Sequence, residues 1–226
     1  MNALALYTTI YPGVESFLPD WCRSVREQTD NEYQLWIGLD TLGIDAVKDA
    51  MGVDPDATWV AAIPGETPAQ VRQRALARII ESCDGVVLVD SDDVLHPSRV
   101  ASARAALHAS DLAGCALRLV DAQGRDLGEV FGLPEQRRPD DVLPRNNIFG
   151  LSNSSFRSDL LRRCLPIPAA VVLVDWFLAT RAWLSGASLA FDPEVGMDYR
   201  QHGANMARVR PPFSQHQVCQ DTQRVR

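Results

Sequence analysis

An α/β architecture follows from three features of this 226-residue chain. Short apolar runs alternate with helix-like segments through the first half, and the runs close on acids or on turn residues. Apolar residues make up 46% and charged residues 23%, which suits a globular chain long enough to bury a full core. Strands and helices at this spacing build a mainly parallel sheet. Such a sheet binds its ligands beyond the carboxyl ends of the strands, near the point where the strand order switches.

In chain order, ALALYTT (3–9) is a compact apolar run stopped by the turn Tyr11-Pro12-Gly13. From Val14 to Gln28, Phe17, Leu18, Trp21 and Val25 recur at near-helical spacing. YQLWIGLD (33–40) reads as a buried strand ending in Asp40, Ile44–Met51 as a short helix, and TWVAAIPG (58–65) as a strand closed by Pro and Gly. Thr67 caps a helix over 68–82 that has Pro68 at its first position. GVVLVDSDD (85–93) is the most hydrophobic strand and runs directly into three carboxylates; His96-Pro97-Ser98 then opens a helix to about Ser110. Asp40 and the Asp90–Asp93 cluster therefore arrive at one rim of the sheet.

The second half is less regular. CALRLVD (115–121), the turn AQGRD and LGEVFGL suggest a hairpin, PEQRRPDDVLPRNN (134–147) a mobile loop, and NSSFRSDLLRRCL a strand passing into a helix. VLVDWFLATRAWLSG (172–186) is an amphipathic helix ended by Gly186, ASLAFDPEVGMDYR two short strands, and the polar stretch beyond Pro211-Pro212 a frayed tail.

Composition excludes several classes of function. A net charge of −7 gives no global positive field, so no nucleic-acid partner is expected. Five scattered cysteines with no CxxC pair fit neither a disulfide scaffold nor a structural zinc site. MNALALYTTIYPG lacks the basic start of a signal peptide, and no apolar stretch approaches the roughly 20 residues of a spanning helix, so the reducing cytosol is the expected compartment. The 22 basic residues are 21 Arg and the single Lys48.

Asp90, Asp92 and Asp93 repel one another unless a cation sits among them, and Mg²⁺ or Mn²⁺ suits oxygen donors of this kind. Helix capping is the ordinary use of such residues, but Asp93 stands several residues short of the helix that Pro97 starts. Two metal-using chemistries fit a strand ending in DSDDV. Phosphoryl transfer through an aspartyl nucleophile, as in the haloacid dehalogenase-like pattern, needs a later lysine, and none follows Lys48. The other is glycosyl transfer from a nucleotide sugar.

SVREQTDNEYQLWIGLD, VLVDSDDVLHPSRV and VDWFLATRAWLSGASLAFDPEVGMDYRQHGANM, in that order, resemble the helix-and-strand opening, the DxD strand and the C-terminal acidic helix with its Y-R-x-H segment of family 2 glycosyltransferases. The likeness runs from Thr8 to about Met206. It implies a GT-A fold, a Rossmann-like mixed sheet flanked by helices, in one domain. Residues 1–110 would form the nucleotide-binding half, 111–210 the acceptor and catalytic half, and 211–226 the tail.

By the same resemblance, Thr8, Thr9 and Tyr11 contact the nucleotide, Asp40 the base, Asp90 and Ser91 the donor, and Asp90, Asp92 and His202 the metal. Arg74 falls at the family's Arg-Asn pair, where Ala75 replaces the Asn; Arg72, Arg74 and Arg78 also suit the solvated face of an Ala-rich helix. Arg200 neutralises diphosphate. Asp175 is the general base of an inverting transfer, and it equally suits the N-cap of its helix. Val174 replaces the first acid of the family's pair. His96, His108 and His216 read as packed or surface residues. Asn146, Asn147 and Ser152–Ser155 lie where an acceptor rim is expected.

The implied function is a metal-dependent inverting glycosyltransferase of surface polysaccharide or glycoconjugate synthesis. Its partners would be a UDP-, dTDP- or GDP-sugar and a saccharide or lipid-linked acceptor, with peripheral contact at the inner face of the membrane. A sugar-phosphate nucleotidyltransferase would want a Gly-rich basic loop after the first strand, which TTIYPGVES lacks. A catalytically inactive GT-A-fold nucleotide-binding or scaffold protein is the alternative.

Overall fold

The computed structural model describes residues 3–203 and 205. The tail over 211–226, His216 and the end of the resemblance at Met206 lie outside the described residues.

Four parallel strands build the first half: β1 (Leu4–Ile10), β2 (Tyr33–Leu39), β3 (Thr58–Ala61) and β4 (Gly85–Leu88). They lie in the order β3-β2-β1-β4, and α1 (Leu18–Arg26), α2 (Ile44–Met51) and α3 (Pro68–Ser82) connect them. Every residue of β1 is buried, which accounts for its mostly apolar run: a strand covered on both faces has no solvent side to mark with alternating polar residues. The start of α3 is a capping box, in which the Thr67 hydroxyl accepts from the Gln70 N–H and the Gln70 side chain accepts from the Thr67 N–H. A 3₁₀ turn at Glu15–Phe17 precedes α1, so the helical reading of Val14–Gln28 divides into two elements.

β5 (Val94–Leu95) follows the acidic turn, and α4 (Arg99–Ala109) leads to β6 (Leu112–Asp121). The expected hairpin is β6 with β7 (Asp126–Phe131). The 134–147 loop contains one helical turn, α5 (Pro139–Val142), started by its own proline. β8 (Ser154–Arg157) runs into α6 (Ser158–Cys164), and α7 (Val174–Leu184) precedes β9 (Leu189–Gln201).

The full order is β3-β2-β1-β4-β8-β6-β9-β5, with β7 on β6. β8 is antiparallel to both β4 and β6, and β9 is parallel to β6, so the sheet is mixed. One expectation fails here: the segment read as two short strands is the single strand β9. Its register against β6 shifts around Cys115–Leu117, opposite Pro193 and Glu194, because proline has no N–H for the ladder and the chain bulges past it. β5 was not expected at all. Two residues carry no periodicity, and β5 exists only because β9 pairs with it.

Helices cover both faces of the sheet over two apolar clusters. Phe156 of β8 is fully buried where β4 and β6 meet it. Phe156→Ala is expected to cost about 3–5 kcal/mol, read as the loss of the denaturant midpoint at unchanged m-value. Cys22, Cys83, Cys115 and Cys164 are buried free thiols. Among the described residues no helix is long and apolar enough to cross a membrane.

Candidate active site

The parallel strands β1, β2 and β4 deliver their carboxyl ends to one rim, and the Asp90–Asp93 turn leaves β4 there. Three clamps hold this turn. The Ser91 hydroxyl, fully buried, donates to the Thr9 carbonyl at 3.1 Å. Ser152 receives the Asp90 N–H at 3.2 Å and its hydroxyl makes a short contact with Asp93. Arg200, 2% exposed, donates from its backbone to Asp93 at 2.7 Å and from Nε to the Asp92 carbonyl at 2.8 Å.

Arg200 thus turns its buried guanidinium to internal partners rather than to a diphosphate. Its remaining nitrogens donate to the Ala122 carbonyl at 2.9 Å and to Asp20 at 3.3 Å, and its guanidinium lies 4.8 Å from the centre of the Phe17 ring. The contact expected of Arg200 is replaced by an internal one, because a buried guanidinium must satisfy its donors where it lies. Ser91 is likewise occupied by the backbone.

Asp92 is 4% exposed. Its Oδ2 accepts from the Tyr11 hydroxyl at 2.9 Å and lies 2.8 Å from His202 Nε2, and Phe17 packs against the His202 ring at 4.8 Å. Tyr11, Asp92 and His202, separated by 81 and 110 residues in sequence, thus meet at one carboxylate oxygen. Asp90 and Asp93 stand beside them. Burial raises the Asp90 carboxyl to about 7, with the Asp92 charge adding to it, and burial followed by the same neighbour raises Asp93 well above the ordinary range.

This is the chemistry of a site short of positive charge. Hard carboxylate oxygens with one imidazole suit Mg²⁺ or Mn²⁺. Among the described residues, no three His, Cys, Asp or Glu side chains converge on a common point for a metal. Asp92 and His202 bind each other instead, so the two fit a cation as neighbouring donors once that hydrogen bond opens.

Thr8 and Thr9 do not offer their hydroxyls to the rim. Thr8 shares its strand face with Leu4, Leu6 and Ile10, and its Oγ1 is buried without a partner. The Thr9 hydroxyl is 2.9 Å from that of Tyr7. Strand alternation against two buried faces takes both side chains inward. Asp40 is half-buried just past β2, its N–H bonded to the Ile10 carbonyl at 2.9 Å, at the rim as expected.

Arg74 is tied up at the carboxyl end of β3. Its Nε and NH2 grip Glu66 at 3.1 and 2.7 Å, and NH2 also donates to the Ala61 carbonyl at 2.6 Å. Two residues earlier on α3, Arg72 acts electrostatically on both Asp90 and Asp175, pulling each carboxyl down. Of the arginines on α3, it is Arg72, which the sequence reading left on the solvated face, whose charge acts on these acids. A shift of two residues turns a helix by more than half a revolution, and only the seat of α3 against the sheet decides which arginine looks in.

Asp175 sits in the first turn of α7, half-buried, with Oδ1 accepting the Trp176 N–H at 2.8 Å and Oδ2 accepting from Asn147 Nδ2 at 2.9 Å. Burial raises its carboxyl above the ordinary range, while Trp176, Arg72 and Asn147 oppose the rise. Leu173, not Asp175, is the N-cap of α7, so the capping alternative is not the one adopted.

Sequence reading missed Gln28 and Thr29 as parts of the scaffold. Gln28 binds the His96 carbonyl at 2.9 Å and the Val100 N–H at 3.0 Å, and Thr29 binds the Pro97 carbonyl, tying the end of α1 to the exit of the acidic turn. His96 lies 3.0 Å from Asp198, which also takes two bonds from Arg118. Burial pushes the Asp198 carboxyl up, but His96 and Arg118 outweigh it and leave it below its ordinary 3.8. A depressed carboxyl contributes stability that is complete above the unfolded value and lost as pH falls through the folded one. Asp198→Asn is expected to lower the melting temperature at pH 7 and to flatten the acid limb of stability below about pH 3.8.

No protein-family model matches the sequence, and no curated protein does. Among solved structures, the fold is similar to S. aureus TarS 1–349 in complex with UDP-GlcNAc, with a TM-score of 0.66 and 16% identity over 89% of this chain and 59% of that one. It is also similar to the mannosyltransferase PcManGT from Pyrobaculum calidifontis in complex with GDP-Man and Mn²⁺, with a TM-score of 0.60 and 18% identity over 87% of this chain and 56% of that one. The chain spans less than two thirds of the length of either. Likeness at these identities is likeness of fold: the mixed sheet is the GT-A sheet.

Proposed function

We propose that the chain is an inverting glycosyltransferase. It would move a sugar from a nucleotide-diphosphate donor (UDP-, dTDP- or GDP-linked) to a hydroxyl of a saccharide or lipid-linked acceptor. The observation that carries this reading is the convergence, on one rim of a GT-A sheet, of an acidic turn and a separate half-buried carboxylate, Asp175, with Arg72 acting on both. The fold's solved neighbours bound to UDP-GlcNAc and to GDP-Man with Mn²⁺ support the class of donor.

In the reaction, an acceptor oxygen forms a bond to the anomeric carbon as the carbon–oxygen bond to the diphosphate breaks. The hydroxyl proton passes to Asp175 and the electron pair leaves on the diphosphate. The rise of the Asp175 carboxyl makes it a better base than an exposed aspartate, while Arg72 and Asn147 keep it available as the anion. Asp40 at the end of β2 would meet the edge of the base, and Arg72 rather than Arg74 would meet the diphosphate. Asp92, with Asp90 and His202 beside it, would hold Mn²⁺ or Mg²⁺. Such a cation, when bound, neutralises charge on the departing diphosphate.

Thermal unfolding with UDP, dTDP, GDP and CDP, each with and without Mn²⁺ or Mg²⁺, tests the reading. One nucleotide at about 100 times its Kd is expected to stabilise the chain by about 2.7 kcal/mol, or several degrees. The shift should need the metal and vanish in Asp92→Ala. No shift with any pair would overturn the metal–diphosphate reading and favour an inactive scaffold. Arg72→Ala should weaken the nucleotide shift more than Arg74→Ala, read as the apparent Kd in the same assay.

A further inference from the structure

Asn147 lies between α5 and β8, on a segment anchored by its neighbours. Ile148 and Phe149 are buried, and Asn153 binds the Ile148 carbonyl at 3.0 Å and the Cys115 carbonyl of β6 at 2.7 Å. The Asn147 side chain makes two bonds that decide each other. Its Oδ1 accepts the Phe149 N–H at 3.1 Å, and its Nδ2 donates to Asp175 Oδ2 at 2.9 Å. A backbone N–H can only donate, so the amide carbonyl must face Phe149 and the NH₂ must face Asp175. The other Asp175 oxygen is held by the Trp176 N–H. Both oxygens therefore meet donors that no rotation of the amide removes, an arrangement complementary to the carboxylate anion.

We infer that Asn147 is a positioning residue that orients the Asp175 carboxylate and holds it as the anion; its effect on turnover rests on Asp175 being the base. Three further groups act across Asp175. Arg72 of α3 favours the anion, while Asp90 at the end of β4 and Tyr199 of β9 are coupled to it electrostatically. Arg72 draws on the same carboxylate from another element, so losing Asn147 should weaken the hold on the anion without abolishing it.

The test is a ¹³C-carboxyl NMR titration of the full chain, with the Asp175 signal assigned by its loss in Asp175→Asn, run beside pH profiles of kcat. Asn147→Ala should move the Asp175 titration to higher pH and carry the acid limb of kcat with it. Turnover at neutral pH should fall roughly tenfold or more, the worth of one bond to a charged group, at unchanged donor KM. Asn147→Asp, which keeps the acceptor for Phe149 but sets a second carboxylate against Asp175, should move the titration further the same way. An Asp175 titration indifferent to both variants overturns the inference, even where Asp175→Asn is inactive. A shifted titration in a chain whose Asp175→Asn variant still turns over upholds the contact and overturns the base reading instead.

Discussion

Asp175→Asn is expected to lower sugar transfer by roughly 10²–10⁴-fold, the usual contribution of a general base, while leaving metal-dependent nucleotide binding unchanged. The amide is the same size and still accepts the Trp176 N–H through its oxygen, which keeps the first turn of α7 in place. It loses the capacity to take a proton, and it also loses the Asn147 bond, because its NH₂ then faces the Asn147 NH₂. Steady-state kinetics and nucleotide thermal shifts on the same preparation check both halves. Equal loss of binding and turnover would mean that Asp175 shapes the donor pocket rather than the proton transfer. In the wild-type chain, transfer should fall on the acid side as Asp175 protonates. The limb should stand above the ordinary carboxylate range, because burial raises this carboxyl. Val174, where the pattern of the family that the sequence resembles carries a first acid, is 2% exposed and part of the core, so on the proposed reading Asp175 alone would do this work.

What sequence could reveal was local. The Val86–Val89 run announces a strand buried on both faces, and Thr67, Pro68 and Gln70 announce the start of α3 through bonds among themselves. That Asp40 and Asp90 would stand past the ends of β2 and β4 was legible because a parallel sheet sends its strand ends to one side. Choices settled at long range were not legible. Thr8 and Thr9 turn inward because helices cover both faces of β1; α3 presents Arg72 because Glu66 captures Arg74 from the preceding loop. Asn147 reads as one polar residue in a loop, and nothing short of its 28-residue reach to Asp175 separates it from Asn146. Arg200 was expected on the donor's diphosphate, yet it binds the acidic turn itself.

That placement makes Arg200→Ala the variant with the largest expected cost to the site as a whole. The guanidinium joins three parts of the chain that no ladder connects: the carbonyl of Asp92 in the acidic turn, the carbonyl of Ala122 after β6, and Asp20 on α1. Removing it leaves the buried Asp92 carbonyl and the half-buried Ala122 carbonyl without this donor and frees the Phe17 ring that packs on both Arg200 and His202. Each carbonyl bond to a charged donor is worth about 1.5–3 kcal/mol, whereas the half-exposed Asp20 contact adds little. A loss of roughly 3 kcal/mol is expected, or about 6–12 °C for a chain of this size. The larger effect is on function. With the turn unpinned, Asp92 no longer meets Tyr11 and His202 at a fixed place, so nucleotide and metal should both bind more weakly even at temperatures where the variant is fully folded. Arg200→Lys separates the two contributions, since an ammonium carries the charge but cannot span three partners from one rigid plane. It should recover part of the stability and little of the nucleotide affinity. Recovery of both in the lysine variant would mean that charge alone, not the geometry of the clamp, holds the acidic turn in place.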